Sequence, residues 1–204
     1  MPATRYLYLA RHAHADPETG DLTPEGWSQA EQLGRRLRAL KPDTLHHGPL
    51  PRASQTARTV AEHLPGVLSQ SVPEAGDYVP HVPTRAELPD EYADRVLAFL
   101  EGRPASELDA GPDLARRALD RFTGPTDDTD THDVVITHAY LVAWVASLAL
   151  GTPSWKWVDL APANAALTVI RYSPRRFPTV LTYNEVSHLD PDLRWTGFPD
   201  ELQI

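Results

Sequence analysis

Apolar residues fall in short bursts along this chain, separated by polar turns, and the period changes from burst to burst. Arg5 to Ala10 reads RYLYLA, an apolar and aromatic run without helical period, as expected of a strand buried in a parallel sheet. The polar stretch RHAHADPETGD ends it. From Thr23 the text LTPEGWSQAEQLGRRLRAL sets Trp27, Ala30, Leu33, Leu37 and Leu40 at helical spacing, with Thr23 as cap and Pro24 at the first helical position. Thr44 to Gly48 predicts a second strand, and Pro51 opens a helix carrying Ala53, Ala57, Val60, Ala61 and Leu64. Strand, polar turn and helix occur twice in the first third.

The stretch from about Pro65 to Pro112 breaks that rhythm with recurrent prolines and keeps periodicity only near Tyr92 to Leu100. It reads as an excursion carrying a short helix over one end of the sheet, a small cap. Leu114 to Phe122 predicts a helix, TDDTDTHD an acidic turn, Asp133 to Thr137 a strand, and Ala139 to Leu150 the helix behind it. Ala165 to Tyr172 and Pro178 to Tyr183 predict two strands joined as a hairpin through SPRR. The tail from Asn184 to Ile204 reads as irregular and superficial. The pattern predicts a three-layer α/β/α fold with a mostly parallel sheet of about five to six strands, in a single domain spanning 1–204.

Composition narrows the function. Lys and Arg number 19 against 28 Asp and Glu, a net charge of −9, which disfavours nucleic acid or an anionic membrane as partner. Cysteine is absent, which excludes disulfides, thiol nucleophiles and thiolate metal sites. No apolar run approaches the roughly 18 residues of a membrane span, and no leader pattern opens the chain, so a cytoplasmic location is expected.

Chemistry gathers where the predicted strands end. Arg11 and His12 follow the first, Arg52 the second, and His138 follows VVIT at the start of a helix. Ligands of open α/β sheets bind beyond the carboxyl ends of strands, and helix N-termini favour anions. Guanidinium groups grip tetrahedral oxyanions, and a neutral imidazole can attack phosphorus while that clamp offsets the developing charge. A protonated second imidazole would donate to the phosphoryl oxygens. The leaving oxygen still needs an acid, for which the excursion offers Glu74 and Asp77, with Glu87, Asp90 and Glu91 further away. His14, His46, His47 and His132, with Asp127, Asp128 and Asp130, form no recognised metal spacing. Trp144, Trp155 and Trp157 read as core.

With these residues in place, the chain resembles the histidine phosphatase superfamily, which also holds the cofactor-dependent phosphoglycerate mutases. Its Arg-His-Gly appears as Arg11-His12-Ala13, its helix opening as Leu22, Thr23, Gly26, Gln29 and Ala30, its Arg-Ala-x-Gln-Thr-Ala intact as Arg52 to Ala57, and its second-histidine segment as VVITHAYLVAWV. YNEVSHL, Tyr183 to Leu189, resembles a late family element. The resemblance implies a phosphate pocket of Arg11, His12, Arg52 and His138, with His12 transiently phosphorylated and neither metal nor other cofactor. It places the acid some twenty-odd residues beyond the second arginine, where Glu74 fits best and Asp77 is the reserve. His14 and Tyr140 are secondary candidates for touching substrate. Both family glycines after the histidines are alanines, Ala13 and Ala139, which is harmless only where the backbone keeps negative φ.

The expected activity is hydrolysis of a phosphate monoester, on a phosphorylated small molecule before a phosphoprotein. The oligomeric state is open. A phosphoglycerate mutase is the alternative enzyme, although Glu18 stands where the mutase pattern has asparagine. A silent phosphate-binding interaction protein is the alternative of another class.

Overall fold

The computed structural model describes residues 1–196 with Phe198 and Gln203. Its elements are β1 (Arg5–Arg11), α1 (Pro24–Arg38), β2 (Thr44–His47), α2 (Pro51–Glu62), β3 (Ser69–Ser71), α3 (Asp90–Glu101), α4 (Ala105–Phe122), β4 (Thr131–Thr137), α5 (Ala139–Ala149), β5 (Leu167–Tyr172) and β6 (Thr179–Glu185). One six-stranded sheet runs in the order β3-β2-β4-β1-β5-β6. The pairs β3–β2, β2–β4 and β4–β1 are parallel, and β5 lies antiparallel to both β1 and β6.

Alternation along the central strands separates two cores. Leu7 and Leu9 of β1 join Val135 and Ile170 in the core under α3, α4 and α5. Tyr8 and Ala10 point to the opposite face, where Val134 and Ile136 meet Leu33 and Leu37 of α1 and Ala57 and Val60 of α2. Strand side chains alternate between faces, so a buried strand needs apolar residues at every position to hold helices on both. That pattern produces the three layers.

The α1 start forms as expected, with the Thr23 hydroxyl accepting from the Gly26 N–H at 3.1 Å and Pro24 at the first position. Three differences from the expected elements have physical causes. β3 carries no apolar signal, since Ser69, Gln70 and Ser71 are all exposed at the sheet edge and held by pairing with β2. The helix expected from Leu114 begins at Ala105 and runs through Pro112. Burial of Gly111, Ala115, Ala118 and Phe122 outweighs an interior-proline cost of about 3 kcal/mol. The tail is not merely superficial: Leu189 is buried, and the Gln29 amide of α1 donates to the Leu193 carbonyl at 2.7 Å. Tail residues 197, 199–202 and 204 lie outside the described residues.

The excursion, with α3 and the first half of α4, sits beside the carboxyl ends of the parallel strands. Gly111 sets its closest approach, since a Cβ there would lie 2.0 Å from the Val79 carbonyl oxygen. Among the described residues, no helix is long and apolar enough to cross a membrane. Gly111→Ala is expected to lose about 1–3 kcal/mol of stability in urea denaturation, the usual cost of overpacking. Gly102→Ala is the control, because its added Cβ meets nothing nearer than the Phe99 carbonyl at 3.5 Å; it should change stability by less than about 0.5 kcal/mol.

Candidate active site

Register brings the two histidines together. β1 and β4 pair in parallel from Arg5 opposite Thr131 to Arg11 opposite Thr137, so the next residues, His12 and His138, leave the sheet side by side. Their ring centroids lie 5.0 Å apart. The His12 N–H extends the ladder by donating to the Thr137 carbonyl at 2.8 Å.

The backbone around His12 is held from several sides. The Ala13 N–H donates to the Thr56 hydroxyl of α2 at 3.1 Å, and the His14 N–H to the Gln29 side-chain carbonyl of α1 at 2.7 Å. The His12 carbonyl accepts from the buried Asn164 amide at 3.0 Å and from the Ala165 N–H at 3.3 Å. Ala165 takes a left-handed φ of 54° to do so. Asn164 was not singled out in the sequence, because its partner is a main-chain oxygen 152 residues away.

The tautomer of His12 follows from one bond. Its Nδ1 lies 2.8 Å from the Ala13 carbonyl oxygen, which only accepts. Nδ1 therefore carries the hydrogen and Nε2 holds the lone pair. Burial, then His138 and Arg11, push the His12 pKa well below its ordinary value. His138 is only 1% exposed, and burial with Arg52 and Arg11 lowers it to about 3. Both imidazoles are neutral near pH 7 in the free protein.

Arg11 donates through Nη1 to the Pro162 carbonyl at 2.9 Å, and its Nε is buried without a hydrogen-bond partner. Arg52, on the first turn of α2, donates to the Asp77 carboxylate at 2.7 Å. The same carboxylate oxygen is 3.4 Å from His138 Nδ1. That approach is electrostatic only, since neither ring nitrogen of His138 has a hydrogen-bond partner. Gly48 makes room here, because a Cβ would lie 2.4 Å from the Ala75 carbonyl oxygen and 3.0 Å from His138 Nε2. The Thr137 hydroxyl donates to that same Ala75 carbonyl at 2.8 Å, fixing the turn that leads to Asp77.

A cavity of about 210 Å³ opens between Arg11, His12, Asp77, Arg103, Glu107, His138, Ala139 and Tyr140. Glu74 does not line it; its carboxylate pairs with Arg117 of α4 at 3.5 Å. Of the two expected acid candidates, Glu74, the preferred one, follows the single 3₁₀ turn Pro73–Ala75 toward α4, whereas Asp77 lines the cavity. His14 is also absent from the lining, its Nδ1 engaged with the Thr23 hydroxyl at 2.9 Å. Glu18 is exposed in a turn where its N–H donates to Asp16, and it is not among the residues that line the cavity. Arg103 and Glu107 are wall residues not singled out beforehand, since the excursion has no periodic signal to orient them. Neither Ala13 nor Ala139 has positive φ, so the methyl groups cost no backbone strain. Among the described residues, no three His, Cys, Asp or Glu side chains are grouped to hold a metal ion.

A profile described as the histidine phosphatase superfamily (branch 1) matches residues 7–186. The chain belongs to that superfamily. Among curated relatives, it is 28% identical over 194 residues to the serine/threonine-protein phosphatase Pgam5, mitochondrial, of Caenorhabditis elegans, covering 93% of this chain and 66% of the relative. The human protein of that name is 27% identical over 200 residues, covering 93% and 65%. This histidine phosphatase thus spans about two thirds of the length of those relatives. Among solved structures, a mycobacterial glucosyl-3-phosphoglycerate phosphatase shares the fold at TM-score 0.62 and 21% identity, covering 89% of this chain and all of that one. A phosphoglycerate mutase from Plasmodium falciparum does so at TM-score 0.62 and 20% identity, covering 92% and 95%.

The expected cytoplasmic location does not stand, because the curated relatives are named mitochondrial. That expectation rested on a missing signal, which is no observation of a compartment.

The buried histidines give the fold an acid limit. Unfolded histidine titrates near about 6.5, whereas His12 and His138 stay neutral to lower pH in the folded protein. Below that pH the unfolded chain binds more protons, so stability falls on acidification, by up to about 1.4 kcal/mol per pH unit for each histidine. For His138 the loss continues down to about pH 3. Urea denaturation between pH 7 and 5 should show this slope, reduced in H138N by one histidine's share.

Proposed function

We propose that this histidine phosphatase, acting as a single domain over 1–204, hydrolyses a small or exposed phosphate monoester through a phosphohistidine on His12. The observation that carries the reading is the Nδ1 hydrogen bond of His12 to Ala13, which leaves Nε2 with its lone pair beside two guanidinium groups. Nε2 attacks phosphorus, the phosphorus–oxygen bond to the alcohol breaks, and a carboxyl group protonates the departing oxygen. Water then attacks the phosphohistidine, gives its proton to that carboxylate, and frees inorganic phosphate and His12. Arg11, Arg52 and His138 hold the phosphoryl oxygens throughout.

Asp77 is the proton donor in this scheme. In the free protein its carboxylate pairs with Arg52 at 2.7 Å. A phosphate dianion draws Arg52 onto its own oxygens and places negative charge beside Asp77, which raises the affinity of that carboxylate for a proton. Burial, then Arg52 and Arg11, keeps His138 neutral in the free protein; the dianion offsets both arginines and favours the charged ring beside it, so in this scheme His138 takes up a proton and becomes a donor. A phosphorylated protein side chain is the second reading, supported by the names of the curated relatives.

H12A should abolish turnover and the acid-labile phosphoenzyme trapped by rapid quench. D77N should slow alkyl phosphates far more than aryl phosphates, because an aryl oxide leaves with less need of a proton; E74Q should not discriminate between them. Equal losses on both substrate types in D77N would remove Asp77 from the acid role. With a phosphoglycerate and a trace of its bisphosphorylated form, phosphate release should exceed isomerisation, and isomerisation faster by about tenfold would favour a mutase.

A further inference from the structure

Two opposite charges stand in the wall of the cavity without partners in the phosphate chemistry. Arg103 is half-buried and held by aromatic groups: its guanidinium lies 4.9 Å over the Phe99 ring, and Nη1 donates to the Tyr140 hydroxyl at 3.3 Å. The Tyr140 ring in turn meets Phe99 and Trp157 edge-on, at 6.1 and 5.2 Å between centroids. The Arg103 Nε is buried and has no hydrogen-bond partner. Glu107, one turn into α4, also lines the cavity and is half-buried. Among the described residues no ion pair joins it to Arg103 or to any other cation, although the two are near enough to influence each other's charge. Burial and the neighbouring Asp77 raise the Glu107 pKa, a penalty that a bound cation would relieve.

Their position is that of the leaving group. Displacement at phosphorus is in line, with attacking and departing atoms on opposite sides. A phosphoryl group held by Arg11, Arg52 and His138 against His12 therefore turns its alcohol toward the remaining walls, which are Asp77, Arg103, Glu107, Ala139 and Tyr140. An alcohol with a carboxylate alone would meet Glu107 as a like charge, and one with an ammonium alone would meet Arg103.

From this, and resting on the phosphomonoesterase reading, we infer that the preferred substrate is an O-phosphorylated free amino acid, its carboxylate bound by Arg103 and its ammonium by Glu107. Both wall charges are then paired, Arg11 in the wall and Arg52 beside Asp77 are left for the phosphate, and Asp77 for the proton. A phosphoserine inside a peptide lacks both charges at its α-carbon and gains nothing from this wall.

The experiment compares kcat/KM for O-phosphoserine, phosphoethanolamine, 3-(phosphonooxy)propanoate, ethyl phosphate and N-acetylphosphoserine methylamide. O-phosphoserine should lead each singly charged ester by about tenfold, the scale of one charge-assisted hydrogen bond. In R103Q the ratio of O-phosphoserine to phosphoethanolamine should collapse toward one, and in E107Q the ratio of O-phosphoserine to 3-(phosphonooxy)propanoate should do the same. Thermal unfolding checks that each variant is folded, and the wild-type ranking stands as a test even if a variant is not. A flat ranking, a blocked phosphoserine hydrolysed fastest, or variants that slow every ester in equal proportion would overturn the inference. Equal slowing by E107Q in particular would make Glu107 part of the proton transfer and not a selector. These outcomes differ from failure of the catalytic reading, in which no ester is turned over or H12A turns them over as fast as wild type, and which overturns both.

Discussion

Crowding of like charge in a nearly dry recess is the constraint on which this site depends. Two imidazoles face one cavity with Arg11 in its wall and Arg52 close by, and burial beside these arginines keeps both rings neutral. Burial first, and then repulsion by the neighbouring charges, disfavours a further proton, so both rings stay uncharged. Asp77 is the counter-charge that makes the arrangement tolerable in the empty protein, close to both Arg52 and His138. The fold's task is to hold this set together against its own repulsion, and it does so with main-chain bonds. Thr137, Asn164 and Ala165 grip the His12 peptide, while Ala13 fixes its ring.

Much of this was legible in the residues and some was not. The β1 and β4 strands follow from continuous apolar runs that burial on both faces leaves, the capped α1 and the Pro51 start of α2 from period and end signals, and the short β2, TLHH, from its place between two helices. Those runs also located Arg11, His12, Arg52 and His138 at strand ends. What period cannot express is register: the pairing of Arg11 with Thr137 that sets the histidines level is a relation between distant strands. Nor does it orient a single carboxylate. Glu74 and Asp77 are three positions apart in an irregular segment, and one 3₁₀ turn decides which meets the cavity. β3 was invisible for the converse reason, since an exposed polar edge strand is defined by its neighbour and not by its own side chains.

The proline-rich excursion has a clearer role in three dimensions than in one. It crosses the carboxyl ends of the strands and supplies Asp77, Arg103 and Glu107 to the cavity, so the phosphate side of the pocket comes from the sheet and the opposite wall from the cap. The aromatic group of Phe99, Tyr140 and Trp157 joins the two, linking α3 to α5 and to the turn beyond it. Variation in that wall can change the shape of the cavity without disturbing the strand-end residues Arg11, His12 and His138.

The place of β1 in the sheet order also bears on how the molecule is made. The strand that leads into His12 comes first in chain order within the sheet, yet its two neighbours are Thr131–Thr137 and Leu167–Tyr172. Leu7 and Leu9, fully buried in the finished protein, have no lasting cover until most of the chain has been synthesised. Pairings so distant in sequence form slowly, and an unpaired apolar strand is open to association with other chains. β1 is therefore a strand that waits for its partners, and its insertion between β4 and β5 joins the parallel and antiparallel parts of the sheet.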